Sequence, residues 1–226
     1  FNTNIDFFFL MNQINTKLTI TIPFWLNIYV LAGIYPLLSV LVCWGFYYGL
    51  RHNDSVIRTI SETVKPFPEN RIFPVTMCTE CIFLAIVIWI RNSTTEIFSK
   101  QKKIKMPKRL SFMKISLPFI IYGLSALSLV TLLDNSPIHL FSAFIFFTFS
   151  AFYFIFCDST GKQLGWKIGT FSIFLTYCVA IILILHCITM SLCFIKKSDN
   201  WRCVEAICQY LACLSLFLKI FVFHLF

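Results

Sequence analysis

Glu80 is the one acidic side chain deep inside an apolar block, seven residues past Phe73 and so about 10 Å along a helix. An ionised carboxylate at that depth costs about 2.5–3.5 kcal/mol, so the residue calls for a proton or a partner. His186, nine residues before the end of its own apolar block at Ile195, falls at a matching depth and is the expected partner. Together they would make a polar lipid-headgroup site or a proton-linked element. The alternative is a neutral Glu80 hydrogen-bonded between helices. His139 follows Pro137 at the start of another block, where it can bond loop backbone or meet a lipid headgroup. Lys219, in the inner half of the last block, is long enough to snorkel to the surface and act as an anchor.

Lys100, Lys102, Lys103, Lys105, Lys108 and Arg109 form a polybasic run beside an apolar block. Each such charge near an anionic leaflet is worth about 1 kcal/mol, so anionic lipid headgroups are its expected partner. Other chemistry is poorly supported. Cys78 and Cys81 have CxxC spacing but neither the βαβ context of a redox motif nor two further zinc ligands. Of the ten cysteines only Cys203 sits clearly in a loop, so no disulfide is expected. Triad, Walker, HExxH and dinucleotide motifs are missing, and no catalytic residue, metal or cofactor is assigned.

The elements that must position these residues follow from composition. Apolar residues make up 58% of the 226, Phe alone contributes 27, and only 13% are charged, half the share of a typical soluble domain. Blocks of about 20 apolar residues suit α-helices that cross a bilayer and are too long for barrel strands. The expected fold is all-α, a polytopic bundle of six transmembrane helices over about 24–50, 73–90, 112–133, 138–157, 168–195 and 206–226. Trp25, Trp44, Tyr47 and Tyr48 suit the two membrane interfaces. Asp134-Asn135-Ser136-Pro137 makes a tight turn, and Asp158 to Lys167 a short link. Ser142, Ala143, Ser150 and Ala151 let a neighbouring helix approach. Residues 1–22, with the short run Phe7-Phe8-Phe9-Leu10, form a poorly ordered or interfacial lead with no signal-peptide pattern.

The net charge of +9 does not point to nucleic acid, because the basic residues are spread over loops rather than along a soluble face. Placing both termini in the cytosol puts twelve Lys and Arg inside and seven outside, seven of the twelve in the stretch from Arg91 to Arg109. The sequon at Asn53 then faces the lumen, close to the first span, and the one at Asn92 faces the cytosol; glycosylation of Asn92 would reverse the orientation.

The first outer loop contains Ile60-Ser61-Glu62-Thr63, then Pro66-Phe67-Pro68-Glu69, then Ile72-Phe73. It resembles the loop of the Frag/DRAM/Sfk family, whose pattern is roughly I-S-[DE]-T-G, P-P-E and [IL]-F. Trp89-Ile90-Arg91 is similar to the family's close of helix two. Pro137-Ile138-His139-Leu140 with Ala143 is similar to its V-H-x-x-G-A start of helix four, and Ala206-Ile207-Cys208-Gln209-Tyr210 to its A-I-C-E-[WY] in helix six. The resemblance covers about residues 24–226. Val64 stands for the loop glycine, Phe67 for a proline and Gln209 for the family Glu.

Within the family the damage-regulated autophagy modulators look closest. That resemblance implies a non-enzymatic protein of lysosomal or endosomal membranes that promotes autophagy. The alternatives are GPI-anchor lipid-remodelling factors of the ER and Golgi, and plasma-membrane regulators of phosphoinositide kinases. The family-motif residues Ile60, Ser61, Glu62, Pro68, Glu69 and Phe73 then mark a candidate lumenal surface, although Glu69 also suits the N-terminus of the second helix.

Overall fold

The computed structural model describes residues 2–6, 19–23, 27–50, 52, 57–130, 134–196 and 199–223. Phe7 to Leu10, Trp25 and the Asn53 sequon lie outside the described residues. Six long helices account for the apolar blocks: α1 (Ile28–Gly49), α3 (Glu69–Gln101), α4 (Pro107–Leu129), α5 (Ser136–Gln163), α6 (Thr170–Lys196) and α7 (Asp199–Val222). Each is long and apolar enough to cross a membrane. A one-turn helix, α2 (Ile60–Thr63), sits between α1 and α3. Ahead of the bundle, β1 (Asn2–Asp6) pairs antiparallel with β2 (Thr19–Pro23).

The long helices form a closed ring in which α1 packs on α3, α3 on α4, α4 on α5, α5 on α6, α6 on α7 and α7 back on α1. Aromatic rings and bare backbone bring neighbours together. Phe119 of α4 stacks on Phe149 of α5 with centroids 4.4 Å apart, and Phe112 lies against Phe156 at 4.6 Å. Gly123 lets α4 approach the backbone of Phe146, and Gly33 does the same for α1 against Phe221 of α7. Ser142, Ser150 and Ala151 are buried along α5, as their small size suits. The outward faces are apolar, as at Leu41, Ile82, Phe141 and Ile184, and such surfaces fit a hydrocarbon solvent.

Several helices run past the spans expected from the sequence, with α3, α4 and α7 also starting earlier, and two of the late ends share one reason. The second span does not stop at Ile90: α3 runs on to Gln101, about 50 Å in all, well beyond a 30 Å hydrocarbon core. Arg91 and Asn92, which looked like a polar terminus, face inward. The Arg91 guanidinium lies 4.5 Å from the Trp166 ring centroid, and its Nε donates to Cys157 Sγ. Asn92 donates to the Met113 carbonyl and accepts from the Tyr153 hydroxyl. Likewise the fourth helix continues through Asp158, expected in a link, to Gln163. Polar residues here are satisfied by neighbouring helices rather than by water, so they do not end a helix.

Candidate functional site

Polar side chains gather at the two ends of the bundle. At the end carrying α2, a capping box closes that short helix: Thr59 Oγ1 accepts from Glu62 N–H, and Glu62 Oε2 accepts from Thr59 N–H. Glu62 is thereby committed to local backbone, with Arg58 3.7 Å away. Ser61 points inward instead. Its Oγ lies 2.8 Å from Nε2 of His139, in the first turn of α5, and 3.4 Å from Nε2 of Gln209 on α7. Gln209 Oε1 accepts from Ile60 N–H at 2.7 Å, and His139 Nδ1 lies 2.7 Å from the Val130 carbonyl oxygen.

The proton directions in this cluster follow from its partners. A carbonyl only accepts, so His139 Nδ1 carries the proton it donates to Val130. With the ring neutral, Nε2 then accepts from the Ser61 hydroxyl. Gln209 offers its carbonyl to Ile60 and its amide N–H to Ser61. One relay thus ties α2, α5 and α7 together, and it uses three of the four stretches that carry the family resemblance.

Other motif residues serve the same end. Phe73 is buried in the core, and Glu69, fully buried, opens α3 where an acid complements the helix dipole. His52 Nδ1 stands 3.2 Å from Glu69 Oε1, at ion-pair distance without hydrogen-bond geometry. Pro68 precedes Glu69 as the N-terminal boundary of α3. Phe67 of this loop is open to the surroundings, at 73% exposure. Tyr48 of α1 accepts from the Arg58 N–H, holding the start of the loop to the end of α1.

At the opposite end the structure overturns one expectation. Lys219 does not snorkel. It is fully buried, and its ammonium donates to both Asp158 oxygens at 2.8 Å, to Ser172 O at 2.9 Å and to Ser172 Oγ at 2.6 Å. Thr176 completes the group by donating to Asp158 Oδ2 at 2.6 Å. Asp158 is thus a counter-ion that the sequence had hidden in an apparent loop, and Lys219 is half of an ion pair across α5, α6 and α7.

The proposed pair of Glu80 and His186 is not formed. Both Glu80 oxygens and His186 Nδ1 are buried without a hydrogen-bond partner among the described residues. α3 packs against α1 and α4, whereas α6 lies on α5 and α7, so equal depth places these residues on separate parts of the ring. The cavity between α3, α4, α5 and α7, lined by residues such as Leu84, Tyr153 and Leu216, is about 10 Å³. That is about the smallest space that holds one water.

Cys78 and Cys81 are free thiols. Among the described residues no three His, Cys, Asp or Glu side chains are grouped to hold a metal ion. In the basic run, Lys100 and Lys114 both pair with Glu96, at 2.9 and 2.7 Å, Lys102 Nζ donates to Leu164 O, and Arg109 donates to Ser159 Oγ at 3.0 Å. Lys103, Lys105 and Lys108 are exposed.

The fold and these two polar ends define a multi-pass helical integral membrane protein. The chain belongs to the Frag1/DRAM/Sfk1/Cwh43P N-terminal domain family, which matches residues 24–225. No curated protein and no solved structure was found to match it.

Proposed function

We propose that this protein is a non-enzymatic modulator of autophagy in lysosomal or endosomal membranes, with both termini in the cytosol and the α2 loop in the lumen. The observation that carries the non-enzymatic part is the packing of the bundle. The cavity enclosed by α3, α4, α5 and α7, about 10 Å³, has no room for a lipid headgroup or an acyl chain. Glu80 and His186, which a headgroup site would have used, are held apart by the ring order. Close packing of these helices, with Ser61, His139 and Gln209 engaged at one end and Asp158 and Lys219 at the other, suits a regulator that offers surfaces, not a reaction chamber. The autophagy assignment and the lysosomal location rest on the motif resemblance alone.

Loss of the protein is expected to change autophagic flux, measured as lysosome-dependent turnover of a membrane-bound autophagosome marker, while GPI-anchored proteins reach the cell surface normally. Normal flux with defective GPI-anchored proteins would select the lipid-remodelling role instead.

A further inference from the structure

The loop between α3 and α4 is a built feature, not a slack tether. Ser99 Oγ donates to Ile104 O at 2.6 Å, and Ile104 N–H donates back to Ser99 O at 3.0 Å. Lys103 takes the left-handed conformation, with φ of 55°, that lets the chain turn between them. Lys102 and Arg109 then fasten the two sides of the loop to the end of α5, through Leu164 O and Ser159 Oγ. This leaves an open cleft of about 340 Å³ lined by Lys105, Met106, Lys108, Arg109 and Gln163.

Among the described residues nothing neutralises this cleft. Glu96, the acid on the adjoining turn of α3, is taken by Lys100 and Lys114, and Asp158 is taken by Lys219. Among the described residues no carboxylate is within ion-pair distance of Lys105, Lys108 or Arg109. α4 starts at the cleft with no side-chain cap and no acid in its first turn, so its N-terminal dipole adds to the positive potential. Gln163 supplies an amide donor.

We propose that this cleft binds the phosphate of an anionic lipid headgroup, with a phosphomonoester as the preferred form. Two lysines, an arginine and a helix N-terminus match a dianionic phosphate better than a singly charged diester or carboxylate. A lipid is favoured over free phosphate because Ile97 and Phe98 on α3 and Ile115 on α4 present exposed apolar surface one to two turns away, where acyl chains can lie. What separates the cleft from ordinary topology-setting charge is that its backbone and Arg109 are pinned before any ligand arrives. The proposal does not depend on the role in autophagy, and its test uses the isolated protein.

The test is binding to the full chain in phosphatidylcholine nanodiscs, titrated with dioctanoyl phosphatidylinositol 4-phosphate, dioctanoyl phosphatidylserine or inorganic phosphate. The phosphomonoester lipid is expected to bind saturably and more tightly than the other two. Replacing both exposed cleft lysines (K105Q/K108Q) is expected to weaken it about thirty-fold, at roughly fivefold per lost charge. The variant K103Q/K167Q removes the same charge from two exposed lysines of the loops at this end that do not line the cleft, leaves Glu96 paired, and is expected to change affinity less than about threefold. Equal loss in the two variants would mean diffuse attraction and overturn the site, as would absence of saturable binding. Inorganic phosphate binding as tightly as the lipid would overturn the lipid assignment.

Discussion

Ser61 Oγ and His139 Nε2, 78 residues apart in the chain, lie 2.8 Å from each other and join the short helix α2 to the first turn of α5. The contact explains how a polar loop between two membrane helices acquires a fixed position. Its hydroxyl is in turn reached by Gln209, so three elements share one small polar group. Ser61→Ala and His139→Ala are each expected to cost about 1–3 kcal/mol, the penalty for a buried partner left unsatisfied. The double variant should cost clearly less than the sum, because both remove the same bond. Thermal melts of the detergent-solubilised protein check this, and additive losses would mean the two residues are not coupled. Gln209→Glu should also destabilise, since a carboxylate can accept from Ile60 but cannot donate to Ser61.

The ion pair of Lys219 and Asp158 is buried, so its behaviour on mutation is asymmetric. Removing one partner by Lys219→Met strands a carboxylate among α5, α6 and α7 and is expected to cost about 3–5 kcal/mol. Removing the charge of both, with Lys219→Met and Asp158→Asn, should restore much of that loss. The recovery of folded, monodisperse protein after heating is a sufficient readout. If the double variant were no better than the single, the pairing would not be what stabilises this end.

Glycines separate the tight helix contacts from the loose ones. A Cβ at Gly33 would stand 2.5 Å from Phe221 Cβ, and one at Gly123 would stand 2.7 Å from the backbone nitrogen of Phe146. Gly33→Ala and Gly123→Ala therefore force α1 from α7 and α4 from α5, at about 1–3 kcal/mol each. Gly45 and Gly49 have open space around the same position, so their alanine variants should be neutral or stabilising by up to about 1 kcal/mol. A melt series of the four variants tests the ring order directly.

Glu80 gains nothing from a negative charge, since neither carboxyl oxygen has a partner among the described residues. Glu80→Gln keeps the shape without the charge, and is expected to leave the melting temperature unchanged or raised. A marked drop would point to an ionised carboxylate with a counter-ion.

The proposed topology puts Lys103 in the cytosol. In a variant whose native cysteines are replaced, Lys103→Cys should react with a membrane-impermeant maleimide only after the plasma membrane is permeabilised. Labelling in intact vesicles of lumen-outward orientation would reverse the assignment. Asn92 no longer reports on orientation, because it is buried within α3 with its amide bonded to Met113.

The resemblance and the structure meet in particular residues. Ser61, His139 and Gln209 stand in three separate motifs of the chain, and nothing in their spacing says that they touch. A family pattern can flag all three, but only the packing of α2 between α5 and α7 shows that they form one cluster. The Lys219 anchor and the Glu80–His186 pair were natural readings of depth. Depth follows from counting residues along a helix, whereas the direction a side chain faces depends on which helices are neighbours.

Hydropathy along the chain is enough to make it a set of six long apolar helices with a basic loop between the second and third, since hydrocarbon admits little else for such segments. Only the packing of those helices shows that Arg91, Asn92 and Asp158 lie within them, that Lys219 is paired, and that Ser61 meets His139. The reason is physical. Hydropathy records what a segment prefers as solvent, but a polar side chain inside a membrane protein is stabilised by particular partners on other helices, and their identity emerges only when the ring closes.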